Sequence, residues 1–465
     1  MEQEPESLAI LVAKFCSLAQ ELDDATAREL LASVNWHLSM LTTLGPVDPN
    51  LPRGGWENSG NTCYMDSVFM SLFAALEAFD SCLTSTPLSL FQIHLCRAIN
   101  QMRSGRTVPA QWVEQLRSLA IQMGFQGGVS FSGNRSGGIS RLFKAGLGFK
   151  QYGYSKDQMD AQEFFLFLAE ALQFPKLVFY ETLLHGAQTS VDDQKITTQR
   201  VLEISMDVDG ATSLADLLKS HFHNNEVKGV NRFVEISDAF TDSKKGQLEW
   251  SILGNEIRRK GSVDMIEVPV SGWKAISILP FQTTESETAV EGSIKAPASI
   301  PATAQHILPI LLKRYAFDGS GVARRLTTTN LFIPPVMDVG NMVLSPSSNS
   351  THSSTNGGRE QYILSLVSVI CHHGSSLKSG HYISYQKLGG WIKHDDMATR
   401  HRVSHVPESQ VLAEAGQNGY MLFYTFEKRR EPGTDYDGQV AAGLELEESM
   451  QVQDFPDNSS RCKVM

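Results

Sequence analysis

Three segments, one near the start and two far downstream, constrain this chain more than any other feature. Asn58-Ser59-Gly60-Asn61-Thr62-Cys63 opens an apolar, helix-forming run, and Ser379-Gly380-His381-Tyr382 and Trp391-Ile392-Lys393-His394-Asp395-Asp396 follow far downstream. The first offers a thiol, and the others offer an imidazole and carboxylates. A thiol with an ordinary pKa of about 8.5 is only a few per cent ionised at neutral pH, so a nucleophilic cysteine needs a base and a group that orients the base. If the segments act together, the fold must set a helix start against a β-hairpin from the other end of the chain.

The local patterns allow this. Gly380 to Tyr385 alternates as a strand with His381, Ile383 and Tyr385 on one face, and a turn at Gly389-Gly390 returns the chain through Trp391. Asp395 then comes beside His381, where it would fix the ring tautomer and stabilise an imidazolium. Asp396 could share or take that role, because adjacent carboxylates are not ranked by sequence. From Thr62 a helix is expected to about Phe79, with Val68, Leu72, Ala75, Leu76 and Phe79 on one face. The positive end of its dipole favours a thiolate at Cys63. The bland alternative for Cys63 is a small buried core residue.

The rest of the chain sets the frame. Residues 7 to 44 read as three short helices: Leu8 to Leu18, a second capped by Asp24, and Trp36 to Leu44. Residues 46 to 53, rich in Pro and Gly, read as a linker. Helical pattern continues to about 123 and returns over Lys156 to Leu172, and between them Gly and Ser interrupt it at Phe131 to Tyr154. Strands are expected at 201–204, 233–236, 308–312, 362–367, 381–385 and 420–426. Stretches 283–304 and 345–358 read as mobile loops.

Composition excludes several classes. A net charge of −11 without a Lys/Arg block argues against a nucleic-acid partner. Cys16, Cys63, Cys82, Cys96, Cys371 and Cys462 form no CxxC pair, which fits a reducing compartment and excludes a cysteine zinc ribbon. No run reaches the ~20 apolar residues of a membrane span, and the acidic start is unlike a secretory signal. A cytoplasmic or nuclear location is expected.

Together these motifs resemble the ubiquitin-specific protease family of cysteine deubiquitinases. Gly60-Asn61-Thr62-Cys63-Tyr64-Met65 and Gly380-His381-Tyr382 carry the resemblance, followed by Trp391 and the paired Asp395 and Asp396. Asp157 to Phe165, Leu311-Leu312-Lys313-Arg314-Tyr315 and Tyr420 to Tyr424 are similar to further family segments. The resemblance implies an α+β, papain-like fold over 54–427, with a helical thumb-like half, a β-rich palm-like half, no zinc ribbon and a small N-terminal helical domain. It implies Cys63 as nucleophile, His381 as base and acid, Asp395 as its orienting group, and Asn58 as oxyanion donor. For Asn58 a turn or cap role is the alternative. Asp160 would hold the C-terminal tail of ubiquitin, or be a surface helix carboxylate, and Tyr382 would line the same channel. The implied partners are ubiquitin and ubiquitinated proteins, with no cofactor and no metal. A protease for another ubiquitin-like modifier, or a silent ubiquitin-binding scaffold, remain alternatives.

The departures are local. Asp66 stands where the family commonly has Asn, and its carboxylate is expected to oppose the Cys63 thiolate. Met159 replaces a Gln, and no cysteine lies between 175 and 305, so a fingers-like extension must rest on β pairing. Residues 1–45 are similar to a ubiquitin-associated (UBA-like) domain, through Asn35-Trp36 and the helices before it, or form a helical extension of the protease. The acidic segment 428–465 is expected to be disordered. Its Cys462-Lys463-Val464-Met465 fits a C-a-a-X lipidation motif, for which one prenyl chain gives weak, reversible membrane association.

Overall fold

Apolar residues recur three and four apart in the first part of the chain and alternate in the second, and the computed structural model is accordingly helical first and sheet second. It describes residues 5–19, 22–125, 158–184, 194–206, 211–223, 225–235, 257–260, 263–278, 306–317, 323–325, 330–340, 360–376 and 379–430. The stretches around 131–154, 283–304 and 345–358, and the tail with Cys462, lie outside these residues. Among the described residues no helix is long and apolar enough to cross a membrane.

Helices α1 (Pro5–Leu18), α2 (Asp24–Ser33) and α3 (Ser39–Thr42) come first. Asp23, not Asp24, caps α2, accepting from Thr26 N at 2.8 Å. The third helix is one turn rather than the expected Trp36 to Leu44, because Asn35 and Trp36 take φ values of 52° and 62°, outside the helical region. Val12, Phe15, Leu30, Leu31 and Leu41 close their core with Leu88 and Ile93 of the next helical layer. Asn100 reinforces the joint, donating to the carbonyls of Met40 and Thr43 at 3.0 and 2.8 Å and accepting from Gly45 N at 2.9 Å. The N-terminal helices are therefore seated on the following half.

The stretch read as a linker is pinned as well. Arg53 is 5% exposed and donates to the carbonyls of Ala74, Leu51 and Asp48 at 2.7, 3.0 and 3.0 Å. Next come α4 (Cys63–Phe73), α5 (Asp80–Leu83), α6 (Leu90–Arg103), α7 (Ala110–Gln122) and α8 (Ala161–Ala171). Every residue of α4 is buried, including Asp66, Ser67 and Ser71, so the helix is enclosed on all sides and not only on the apolar face its pattern marks. It stops at Phe73 rather than Phe79 because two guanidiniums take its terminal carbonyls. Arg103 Nε donates to Phe73 O at 2.9 Å and Arg53 Nε to Ala74 O. Phe164 of α8 meets Tyr64, Phe69 and Phe125 edge-on at 5.5, 5.4 and 5.2 Å between ring centroids, locking α8 to α4.

Among the described residues the β-rich part has two sheets. Strands β1 (Leu177–Leu184), β2 (Gln194–Gln199), β4 (Asn225–Glu235), β5 (Ile257–Lys260) and β6 (Val263–Ile278) pair antiparallel in the order β2-β1-β6-β4, with β5 on β6. This sheet carries no cysteine and is held by backbone pairing. The larger sheet runs β14-β13-β12-β11-β15-β7-β3. Its members are β3 (Leu202–Ser205), β7 (Ile307–Lys313), β11 (Glu360–Ser376), β12 (Ser379–Lys387), β13 (Trp391–His394), β14 (Val403–Val406) and β15 (Gly419–Arg430), which continues past the expected boundary at 427. Strands β8 (Tyr315–Phe317), β9 (Ala323–Arg325) and β10 (Val336–Asp338) flank it, and α9 (Leu214–His223) and α10 (Glu408–Asn418) complete the α+β fold.

The Leu-Leu-Lys-Arg-Tyr segment now has a structural reason. Arg314, 1% exposed, donates from Nε to Gly419 O and from Nη2 to Gly416 O, both at 2.6 Å, closing the C-terminal end of α10. At the seam of the two halves, α4 packs across β12 and β11.

Candidate active site

A left-handed turn aims Cys63. Gly60 and Asn61 have φ of 85° and 55°, and the Asn58 side-chain oxygen accepts from Gly60 N at 2.7 Å, an Asx-type turn. The Thr62 hydroxyl accepts from Ser59 N at 3.0 Å and donates to Asp66 Oδ2 at 3.0 Å. The loop enters α4 at Cys63, which is 3% exposed. Arg117 of α7 donates to Gly60 O at 2.8 Å and holds the outer side of the loop.

The β12–β13 hairpin faces it. Its register pairs Lys387 with Trp391 and Ser384 with His394, around a turn in which Gly389 takes φ 64°. Gly380 has φ 143°, and a Cβ there would fall 2.3 Å from His373 O, so only glycine fits this approach to β11. Trp56 N donates to His394 Nε2 at 3.1 Å, tying the hairpin to the loop before Cys63. Burial pushes the His394 imidazole down to about 3, so it stays neutral and can accept that bond.

Beyond the hairpin end the paired aspartates separate by role. Asp395 Oδ1 lies 2.8 Å from His381 Nε2, whereas Asp396 Oδ1 is 3.8 Å from the same atom. The hydrogen bond from His381 holds the Asp395 carboxyl well below the usual carboxylate range, with Lys393 at 3.2 Å adding to the effect. Asp396 is 3% exposed and accepts instead from Asn58 Nδ2 at 2.7 Å. His381 Nδ1 is buried and has no hydrogen-bond partner among the described residues, leaving that nitrogen for a proton transfer. Three atoms of His381, Asp395 and Asp396 lie within 4.8 Å of one another, and the histidine–carboxylate bond accounts for their proximity.

Cys63 departs from expectation. Burial pushes its thiol up to about 12, negative charge at Asp396 and Asp66 pushes the same way, and the backbone N–H groups of Tyr382 and Tyr64 only partly oppose this. The helix start alone does not produce a thiolate, because desolvation outweighs it. The repulsion assigned to Asp66 comes after that of Asp396. In this arrangement Cys63 is a thiol whose ionisation requires a proton acceptor.

The two residues assigned to a substrate channel fall differently. Asp160 is the half-buried N-cap of α8, not a mid-helix surface carboxylate, since the helix begins at Ala161 rather than Lys156. It accepts from Gln162 N at 2.7 Å and from the Tyr420 hydroxyl, which lies 2.9 and 2.7 Å from its two oxygens. Burial pushes it up to about 6. The Tyr382 side chain is 1% exposed and stacks on His372 at 4.3 Å, so it packs beneath the site and does not line an open channel. Its backbone N–H is the part that reaches Cys63.

Sequence reasoning missed Thr62, Arg117, Tyr420 and the buried His372, which lies 3.0 Å from Gln158 Nε2 and is hydrogen-bonded to the Tyr315 hydroxyl. Thr62 was accessible as a hydroxyl four residues before a buried acid. Nothing local marks the others, whose partners are remote in sequence.

Transfer of an acyl group to a cysteine is the chemistry that a thiol, a free imidazole nitrogen and an orienting carboxylate can carry out together, and the class so defined is the cysteine hydrolases. A family model described as "Ubiquitin carboxyl-terminal hydrolase" matches residues 54–424, and the chain belongs to that family. Among curated relatives, ubiquitin carboxyl-terminal hydrolase 8 of Saccharomyces cerevisiae is 22% identical over 386 residues, 80% of this chain and 70% of the relative. Ubiquitin carboxyl-terminal hydrolase 17-like protein C of Mus musculus is 30% identical over 125 residues, 26% of this chain but 19% of the relative. Ubiquitin carboxyl-terminal hydrolase 10-B of Xenopus laevis is 30% identical over 129 residues, 26% of this chain and 15% of the relative. The chain thus spans less than a fifth of the length of these last two. Among solved structures, the SAGA Ubp8/Sgf11/Sus1/Sgf73 DUB module bound to ubiquitin aldehyde has a TM-score of 0.48 at 15% identity, covering 88% of this chain and 77% of that chain.

Proposed function

We propose that this protein is a cysteine deubiquitinase that cleaves the bond after the C-terminal glycine of ubiquitin. The observation that carries the reading is His381, anchored through Nε2 to Asp395 while its buried Nδ1 has no partner among the described residues. The Cys63 thiol passes its proton to Nδ1, and the thiolate attacks the glycine carbonyl. Asn58 has a second side-chain N–H beyond the one given to Asp396, and it donates to the oxyanion. The imidazolium then protonates the departing lysine amine. Water, deprotonated by His381, hydrolyses the thioester and returns Cys63.

The thiol at rest suits a site that ionises only when engaged. Desolvation holds the proton on sulfur, and attack becomes possible when Sγ and Nδ1 come into hydrogen-bond contact. Asp160 is the remaining candidate for the ubiquitin tail, which it would meet while tied to Tyr420.

The test is hydrolysis of a fluorogenic amide on the C-terminus of ubiquitin, beside the same amide on other ubiquitin-like modifiers. Release from ubiquitin by wild type and none by Cys63→Ala is expected. Release only from another modifier would reassign the substrate, and no release from any by folded protein would overturn the enzyme reading.

A further inference from the structure

Two buried carboxyl groups sit in contact behind the nucleophile. Asp66, one turn into α4, is 0% exposed, and Asp396, after β13, is 3% exposed. Each accepts one hydrogen bond on Oδ2: Asp66 from Thr62 Oγ1 at 3.0 Å, and Asp396 from Asn58 Nδ2 at 2.7 Å. Oδ1 of each is buried with no donor among the described residues. The two carboxyl groups lie close enough to act on one another electrostatically, and both bond the same 58–62 loop. Two ionised carboxylates have no hydrogen to share.

We propose that Asp66 and Asp396 share one proton, as a carboxylic acid–carboxylate pair that ties the loop carrying Asn58 to the hairpin carrying His381. The proton supplies the missing donor and leaves the pair with a single negative charge. Both ends of the 58–62 loop then hang on the pair, Asn58 through Asp396 and Thr62 through Asp66. This makes Asp66 a positioning residue for the site, a role in catalysis that rests on the deubiquitinase reading. The shared proton itself does not depend on that reading.

The surroundings favour one charge rather than two. His381 Nε2 of β12 lies 3.8 Å from Asp396 Oδ1, and the Arg117 guanidinium of α7, paired at 2.5 Å with Glu114, also favours charge on Asp66. Against them stands Asp395, whose charge repels a second charge on the pair. When base removes the shared proton, two charges remain in contact in a buried site and must part, releasing Asn58 from its seat. Activity therefore falls on the alkaline side as the pair ionises.

Asp66→Asn provides the test, because its amide can donate permanently to Asp396 without titrating. Asp66→Leu leaves Asp396 without that donor. Infrared spectra of the folded, substrate-free proteins should show a buried protonated-carboxyl C=O band in wild type that is absent from Asp66→Asn. On the fluorogenic ubiquitin amide, Asp66→Asn should retain neutral-pH kcat and lose the alkaline decline attributable to the pair, whereas Asp66→Leu should lose kcat by about 10²-fold, as for a displaced oxyanion donor. A neutral-pH spectrum identical in wild type and Asp66→Asn overturns the shared proton, whatever the activity. If the band changes but the two pH profiles superimpose, the positioning role is overturned. Absence of ubiquitin hydrolysis by wild type would refute the deubiquitinase reading instead, leaving the infrared comparison to decide the shared proton.

Discussion

Replacing Asn58 with Ala should lower kcat far more than it disturbs folding. Its side chain is held at both ends, Oδ1 by Gly60 N at 2.7 Å and one N–H by Asp396 Oδ2 at 2.7 Å. The amide is therefore oriented before any substrate arrives, and loss of a preorganised oxyanion donor costs about 2.7–4 kcal/mol, or ~10²–10³ in kcat. The truncation also leaves Asp396 Oδ2 without its donor, a separate stability cost of about 1–3 kcal/mol. Thr62→Val distinguishes the two effects, because it breaks the same loop's bonds to Ser59 and Asp66 while keeping the Asn58 amide. Steady-state hydrolysis of a ubiquitin C-terminal amide and urea unfolding midpoints should be measured for both variants. Comparable losses of stability with a much larger kcat loss for Asn58→Ala are expected. Equal kcat losses, or an effect of Asn58→Ala on KM alone, would refute the assignment.

Three further outcomes follow from the packing. Phe164→Ala empties a fully buried site among Tyr64, Phe69 and Phe125 and should destabilise the protein by about 3–5 kcal/mol in chemical denaturation. Asn100→Ala removes the three bonds that seat the N-terminal helices, so limited proteolysis should cut before residue 54 sooner than in wild type, with hydrolysis little changed. Tyr420→Phe should show a pH-dependent stability loss. Asp160 is raised from 3.8 to about 6, so the stability that its bound proton contributes is complete below 3.8 and lost as pH rises through about 6. The Tyr420 hydroxyl lowers that value by bonding the charged form, and without it the loss extends to higher pH. The urea midpoint difference between Tyr420→Phe and wild type should therefore be larger at about pH 8 than at about pH 4, and an equal difference at both would contradict this role.

Patterns with a local period were legible before the structure. The strand alternation around His381 and the Gly389-Gly390 turn placed Asp395 beside the imidazole, and the absence of cysteine from 175 to 305 anticipated a sheet held by pairing. Helix ends were less legible, because remote side chains set them. Arg53 and Arg103 stop α4, Asp160 starts α8, and Asn35 and Trp36 shorten α3. The ranking of Asp395 over Asp396, implied by the family resemblance, rests physically on which oxygen reaches His381, a tertiary distance that the local pattern does not encode. The same holds for the Cys63 thiol. Its position at a helix head suggested easy ionisation, but burial is a property of the folded molecule and acts in the opposite direction.

The most direct measurement of the central claim is covalent capture. Ubiquitin carrying a C-terminal electrophile is incubated with wild-type protein and with Cys63→Ala, His381→Ala and Asp395→Ala, and the adducted residue is located by mass spectrometry. The proposed mechanism requires one adduct, on Cys63, formed rapidly by wild type, absent from Cys63→Ala and strongly slowed in the other two variants. An adduct on another cysteine, or capture by Cys63 at an unchanged rate without His381, would contradict it.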